Sequence, residues 1–216
     1  MMKQFPAILD LTGRKVVVVG GGNIAQTKIE NLLETGPKIV VIAPSISDPL
    51  ANLAREGKIA HEARNFEDAD LDNSWLVIAA TNDSEINEKV YRAAEARQIF
   101  CNVVDYRPLC SFVTPAIVER GDITVAITTS GGSPALAQEL KKVIGDAIGQ
   151  EYVELLEILR DLRPMVRARV SDQVKRSLIF HRIVESDALA LLRLDKRQEA
   201  EALAKKIIAE LSQSAS

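Results

Sequence analysis

The chain has 216 residues, a formal net charge of −3, 47% hydrophobic and 26% charged residues, and only 4% aromatics. That is a globular composition with an aliphatic core, and it excludes both a disordered chain and one whose overall charge would draw it to nucleic acid or an anionic membrane. Cys101 and Cys110 are too few for a disulfide framework. No apolar run reaches the roughly 18 residues that span a bilayer, and the opening MMKQFPAILD is too short and too soon acidic for a signal peptide; the expected setting is cytoplasmic.

Short β-branched runs at 15–19 (KVVVV), 38–42 (KIVVI), 59–62, 76–80 (LVIAA) and 100–104 (FCNVV) alternate with helical patterns over 24–34, 49–55 and 85–97. Runs that are apolar throughout suit strands covered on both faces, so the pattern predicts an α/β fold with a Rossmann-like parallel sheet. Gly36 is the expected stop of the first helix. After Asp105 come the turn Tyr106-Arg107-Pro108, a short run at 110–113 and a strand at 123–128. Ser133 then reads as an N-cap and Pro134 as a first helical residue, with Leu136, Leu140, Val143, Ile144 and Ala147 at helical spacing. From Glu151 everything reads helical. Pro164 is expected to break or kink one helix, EALAKKIIAEL to form another, and 212–216 to fray. The expected organisation is an α/β domain (1–113), a middle segment (114–148) and a helical domain (149–216).

Gly20-Gly21-Gly22-Asn23-Ile24-Ala25 follows a strand directly and opens a helix, matching G-x-G-x-x-A in the context that the dinucleotide fingerprint requires. Gly20 permits the turn, Gly22 lets backbone approach a pyrophosphate, and Ala25 lets helix and strand pack closely. The bland alternative is a tight turn with no ligand. The acid expected about 20 residues beyond the glycines is absent, and Ile42-Ala43-Pro44-Ser45 stands there. Ribose recognition would then fall to backbone around Pro44 and Ser45, and NAD cannot be told from NADP by the carboxylate. Thr81-Asn82-Asp83 sits where cofactor-lining residues occur in such sheets, or else caps the next helix, with Asn82 and Glu85 spaced as a capping box.

These residues resemble the precorrin-2 dehydrogenase family, which includes bifunctional dehydrogenase–ferrochelatases and the N-terminal part of sirohaem synthases. The resemblance is carried in order by FPAILDLTGRKVVVVGGGNIAQTKIENLLETG, LVIAATND, IFCNVVD and SFVTPAIVERGDITVAITTSGGSPALAQELK. It implies NAD-dependent oxidation of precorrin-2 to sirohydrochlorin by a homodimer, with 1–113 as the NAD-binding domain and 114–148 as the dimerisation segment. Asp105, just past the fifth strand, matches the acid that the family is thought to use catalytically. A carboxylate raised in a partly apolar site would suit a general base, and the bland alternative is a turn residue. The same group could take pyrrole protons during iron insertion.

Two further features suit a polycarboxylate substrate. The turn at 128–133, with Ser130 and Ser133, leads into a helix N-terminus that could bind a carboxylate, or is ordinary capping, or a dimer interface. Residues 160–182 carry seven basic side chains, Arg163, Arg167 and Arg176 among them, against two acidic ones, a local net of +5. Such a stretch is either substrate contact or a solvated helix face. His61 and His181 stand alone, so no metal site is expected, and the two cysteines read as small hydrophobes. The expected substrate position is a cleft between the sheet's carboxyl edge and the helical tail. The rival reading from another class is a dinucleotide-sensing module that does no chemistry.

Overall fold

A computed structural model describes residues 4–213. The chain divides into two compact units, one ending at Thr114 and the other starting at Pro115.

In the first unit the strands β1 (Lys15–Val19), β2 (Lys38–Ile42), β3 (Ala60–Glu62), β4 (Ser74–Ala79) and β5 (Phe100–Val103) form one parallel sheet in the order β3-β2-β1-β4-β5. Helices α1 (Asn23–Leu33), α2 (Asp48–Arg55) and α3 (Ser84–Ala96) are the crossovers. The period-two geometry of a strand sends the four valines of β1 to both faces. Val17 and Val19 join Val77, Ala79, Cys101 and Val103 beneath Val90, Ala93 and Ala94 of α3. Val16 and Val18 join Val41, Leu76 and Ile78 beneath Ala25 and Ile29 of α1 and Leu50 of α2. All four are essentially buried, each contributing about 1.5–3 kcal/mol of apolar transfer, which is why β1 carries no polar residue after Lys15. Gly36 ends α1 with φ +73°.

The second unit opens with an antiparallel ribbon of β6 (Ala116–Arg120) and β7 (Ile123–Ile127), followed by α4 (Pro134–Ala147). The ribbon turns at Gly121, φ +53°, where a Cβ would lie 2.7 Å from a methyl of Val153. Helices α5 (Gln150–Arg169), α6 (Gln173–Val184), α7 (Ala188–Leu192) and α8 (Arg197–Gln213) then enclose a core of their own. Leu155, Ile158, Leu162 and Val166 of α5 meet Ile179 and Ile183 of α6 and the Ala200, Ala204, Ile208 stripe of α8.

The run 110–113 lies beside β5, where the Ser111 and Phe112 N–H groups donate to the Cys101 carbonyl (2.8 and 3.4 Å). Several expectations need correction. The strand β6 is one that the sequence pattern does not predict. Pro164 does not end α5, which runs through it with the proline on an exposed position. The cap of α3 is Asp83, not Asn82: its carboxylate accepts the Glu85 and Ile86 N–H groups. Of the expected frayed tail, Ser212 and Gln213 belong to α8, and 214–216 lie outside the described residues.

Candidate functional site

The order β3-β2-β1-β4-β5 reverses direction between β1 and β4, and the crevice beyond the carboxyl ends of the strands at such a reversal is where open α/β sheets bind ligands. A continuous rung of backbone bonds marks this edge. Ala43 N–H donates to the Glu62 carbonyl, Gly20 N–H to Ile42, Ala80 N–H to Val19 and Val104 N–H to Ala79, at 2.8 to 3.2 Å. The glycine loop, the Thr81 loop and Asp105 therefore emerge side by side.

The glycines pack as tightly as the loop allows. Gly20 has φ +121°, and a Cβ there would sit 2.4 Å from the Ala80 carbonyl oxygen at the end of β4. At Gly21, to which the sequence assigned no role, a Cβ would lie 2.2 Å from the Ser45 carbonyl oxygen, and Ser47 N–H donates to the Gly21 carbonyl (2.9 Å). Gly22 is the opposite case: nothing lies within 4 Å of where its Cβ would be. It caps α1 with extended backbone and no side-chain bond, and the first turn holds no acidic residue. With Asn23 and Ile24 exposed beside it, the helix presents its N-terminal N–H groups to open space, as an anion site requires.

At the end of β2, Pro44 and Ser45 are exposed and carry no acid. His61, half-buried on β3, lies 2.9 Å through Nε2 from the Ala43 carbonyl. A carbonyl only accepts, so Nε2 carries the proton, and His61 holds this turn in place rather than serving as a ligand. Across the sheet, Thr81 Oγ1 is 2.8 Å from Asn87 Oδ1 and accepts the Asp83 N–H (3.1 Å), while Asn87 Nδ2 donates to the Thr81 carbonyl (3.0 Å). The Thr81 side chain thus shapes the loop from within, and Asn82 is left exposed. Nothing in the spacing of Thr81 and Asn87 announces this clasp.

Asp105 has φ +59°, a left-handed conformation that Asp tolerates better than most residues. Its carboxylate is exposed, not set among apolar groups, and has no ion-pair or hydrogen-bond partner among the described residues. Next to it on β5, Asn102 is buried and donates from Nδ2 to the Phe112 carbonyl (3.0 Å), pinning the segment after the turn. Cys101 is fully buried. Burial above all, with Cys110 and Glu95 adding to it, pushes its thiol up to about 12, so it is no nucleophile.

In the second unit, the turn before α4 satisfies itself. Ser133 Oγ accepts the Leu136 N–H (3.1 Å), Thr129 Oγ1 accepts the Ser133 N–H (3.1 Å), and Ser130 N–H donates to Thr128 Oγ1 (3.1 Å). Ser133 is thus engaged as a cap, while the Ser130 hydroxyl is exposed. Arg163, Arg167 and Arg176 are brought together: with Gln173, Ser177, Phe180, His181 and Val184 they line a cleft of about 550 Å³ between α5 and α6. Among the described residues, no group of three or more His, Cys, Asp or Glu is placed to hold a metal ion, and no helix is long and apolar enough to cross a membrane.

Residues 7–116 match the family described as "Putative NAD(P)-binding", and residues 151–208 match the "Sirohaem synthase dimerisation region". The chain belongs to the family formed by the N-terminal part of sirohaem synthases and by precorrin-2 dehydrogenases. It is 36% identical over 186 residues to a sirohaem synthase of Pseudoalteromonas atlantica, covering 86% of this chain and 40% of that one. It is 37% identical over 207 residues to the sirohaem synthase of Xylella fastidiosa, covering 95% and 44%. The chain therefore spans about two fifths of the length of these curated relatives. A solved structure titled "SirC, precorrin-2 dehydrogenase" superposes with a TM-score of 0.75 at 26% identity, covering 94% of this chain and all of that one. The loop from Gly20 to Ala25, with its G-x-G-x-x-A spacing, lies inside the segment that matches the first of these families.

Proposed function

We propose that the chain oxidises precorrin-2 to sirohydrochlorin with NAD as acceptor, releasing NADH and a proton, as a homodimer in the cytoplasm. The observation that carries this is the shared edge: an uncapped helix N-terminus with an open Gly22 and an unpartnered carboxylate, Asp105, both emerge from one backbone rung at the sheet's reversal. A dinucleotide fits that edge. Gly20 and Gly21 supply the close approaches, Gly22, Asn23 and Ile24 the pyrophosphate seat, Pro44 and Ser45 the ribose wall, and Thr81 and Asn82 the loop beside the nicotinamide.

The ribose wall carries no carboxylate for the 2′-hydroxyl, so the preference for NAD rests on the cations that follow β2: Arg55 donates to Asn52 and Arg64 is engaged by both oxygens of Asp70 (2.9 and 2.6 Å), which leaves neither free for a 2′-phosphate. When bound, the nicotinamide supplies the hydride acceptor. The chain's own contribution is at Asp105: a macrocycle that loses hydride must also lose a proton, and the exposed, unpaired carboxylate beside the cofactor edge receives it. The resemblance also makes Asp105 the acceptor of pyrrole protons if iron is inserted.

The homodimer reading rests on α4, whose Leu136, Leu140 and Val143 form an exposed apolar stripe at helical spacing, and on a ribbon of only two strands, each wanting a covering surface. The deciding experiment is anaerobic: enzymatically made precorrin-2 plus NAD should yield NADH and sirohydrochlorin stoichiometrically, and ferrous iron added afterwards reads chelation in the same cuvette. Tight NAD binding with no NADH formed would favour a sensing module.

A further inference from the structure

We propose that the cleft between α5 and α6 is a binding site for the carboxylates of a planar polycarboxylate, contained wholly within the helical unit. Several arginines of this unit are neutralised by carboxylates. Arg160 pairs with Asp122, Arg193 with Glu151, and Arg197 with Glu157 and Glu201. Among the described residues no carboxylate pairs with Arg163, Arg167 or Arg176, and, whereas Arg120, Arg169 and Arg182 also lack such a partner, these three line one cleft together. Three guanidiniums left unneutralised around one concavity repel one another, and an anionic ligand relieves that repulsion.

The cleft is also shaped for more than charge. Arg176 is fixed by Nη1, which donates to the carbonyls of Val170 (3.0 Å) and Ser171 (2.7 Å). Its Nε and Nη2 edge remains, the fork that grips a carboxylate in two parallel bonds. Arg163 stands over the Phe180 ring, 5.6 Å from its centroid, so an aromatic wall lies beside the charged groups. Ser177 adds a hydroxyl. A ligand matching this set has several carboxylates on an apolar planar body. If the dehydrogenase reading holds, on which this identification rests, that ligand is the tetrapyrrole with its acetate and propionate side chains.

The test titrates uroporphyrin, an octacarboxylate macrocycle, into the full-length chain at low ionic strength and follows porphyrin fluorescence anisotropy. Arg163 and Arg167 are exposed, so the R163Q/R167Q double variant should fold as the wild type does. It should bind uroporphyrin at least tenfold more weakly, with a shallower salt dependence, while calorimetric NAD affinity stays at the wild-type value. R176K keeps the charge but loses the fork, and should also weaken binding severalfold. The proposal is overturned if the wild-type chain binds no uroporphyrin, if the double variant binds it as tightly, or if equimolar tripolyphosphate displaces it, since charge alone would then be read. It is overturned too if the double variant changes the sedimentation state, which would make the cleft a subunit contact. Arginine-dependent porphyrin binding by a chain that forms no NADH from precorrin-2 would support the cleft while refuting the dehydrogenase.

Discussion

Replacing Gly22 by Asp separates folding from cofactor binding more cleanly than any other change at the glycine loop. The backbone at Gly22 has φ −89° and ψ −172°, ordinary for any residue, and a side chain there meets nothing within 4 Å. Aspartate is among the preferred N-caps and better than glycine by a few tenths of a kcal/mol, so the melting temperature of Gly22→Asp should equal or slightly exceed that of the wild type. NAD affinity should fall. The new carboxylate takes the N–H groups meant for the pyrophosphate and stands about 4 Å from its charge, a repulsion of about 1 kcal/mol at the dielectric of water and about 4 kcal/mol at an effective dielectric of 20. That spans a loss of roughly fivefold to a thousandfold in affinity. Gly20→Ala is the contrasting control. Its Cβ would be driven to 2.4 Å from the Ala80 carbonyl at φ +121°, and it should cost about 2–4 kcal/mol of stability. Isothermal calorimetry with NAD, paired with thermal melts, reads both effects. Wild-type NAD affinity in Gly22→Asp would refute the assignment of this loop to the cofactor.

Asp105→Asn keeps a residue that tolerates φ +59° but cannot accept a proton, so kcat should drop by about 10² to 10⁴-fold with NAD affinity unchanged; an Asn variant as active as the wild type would leave Asp105 only an orienting role. Asp70 accepts from both Arg64 nitrogens and from the Glu67 N–H, and the Arg64 guanidinium above all holds its carboxyl below the usual carboxylate range. A value depressed on folding means stabilisation that is present at neutral pH and lost as pH falls through that folded value. Asp70→Asn should therefore cost about 1 kcal/mol at pH 7, and its denaturation midpoint should converge on the wild type in acid; a pH-independent gap would assign the loss to packing.

The parallel sheet was legible to within a residue or two because strands buried on both faces admit only runs such as KVVVV and KIVVI. Where burial is one-sided the signal weakened. AIVER of β6 ends in two charges and follows Pro115, so it carries no run of the kind that marks the parallel strands. The glycine loop could be read because its spacing encodes its own geometry, and the basic stretch could be counted, but only folding shows which arginines face one another. Asn87, His61 and Asn102 act through contacts 6 to 18 residues away, and no local pattern records these. The cap of α3 was misread by one position because Asn82 and Asp83 are adjacent and both are capable caps.

Among the described residues the three hydrophobic clusters draw on residues up to Phe112 and then from Leu155 onward; the ribbon and α4 between them bury only Val118, Ile127 and Ala137, outside those clusters. Their order is held instead by a few attachments, such as Gly121 lodged against Val153 and Asp122 bonded to Arg160. Backbone amides there should open to solvent exchange by local fluctuation, at far lower free energy than the rungs of β1, which open only with the whole sheet. If a second copy covers this stretch, association is what supplies its missing core, and amide protection of β6 and β7 becomes a direct gauge of how much of the protein is paired at a given concentration.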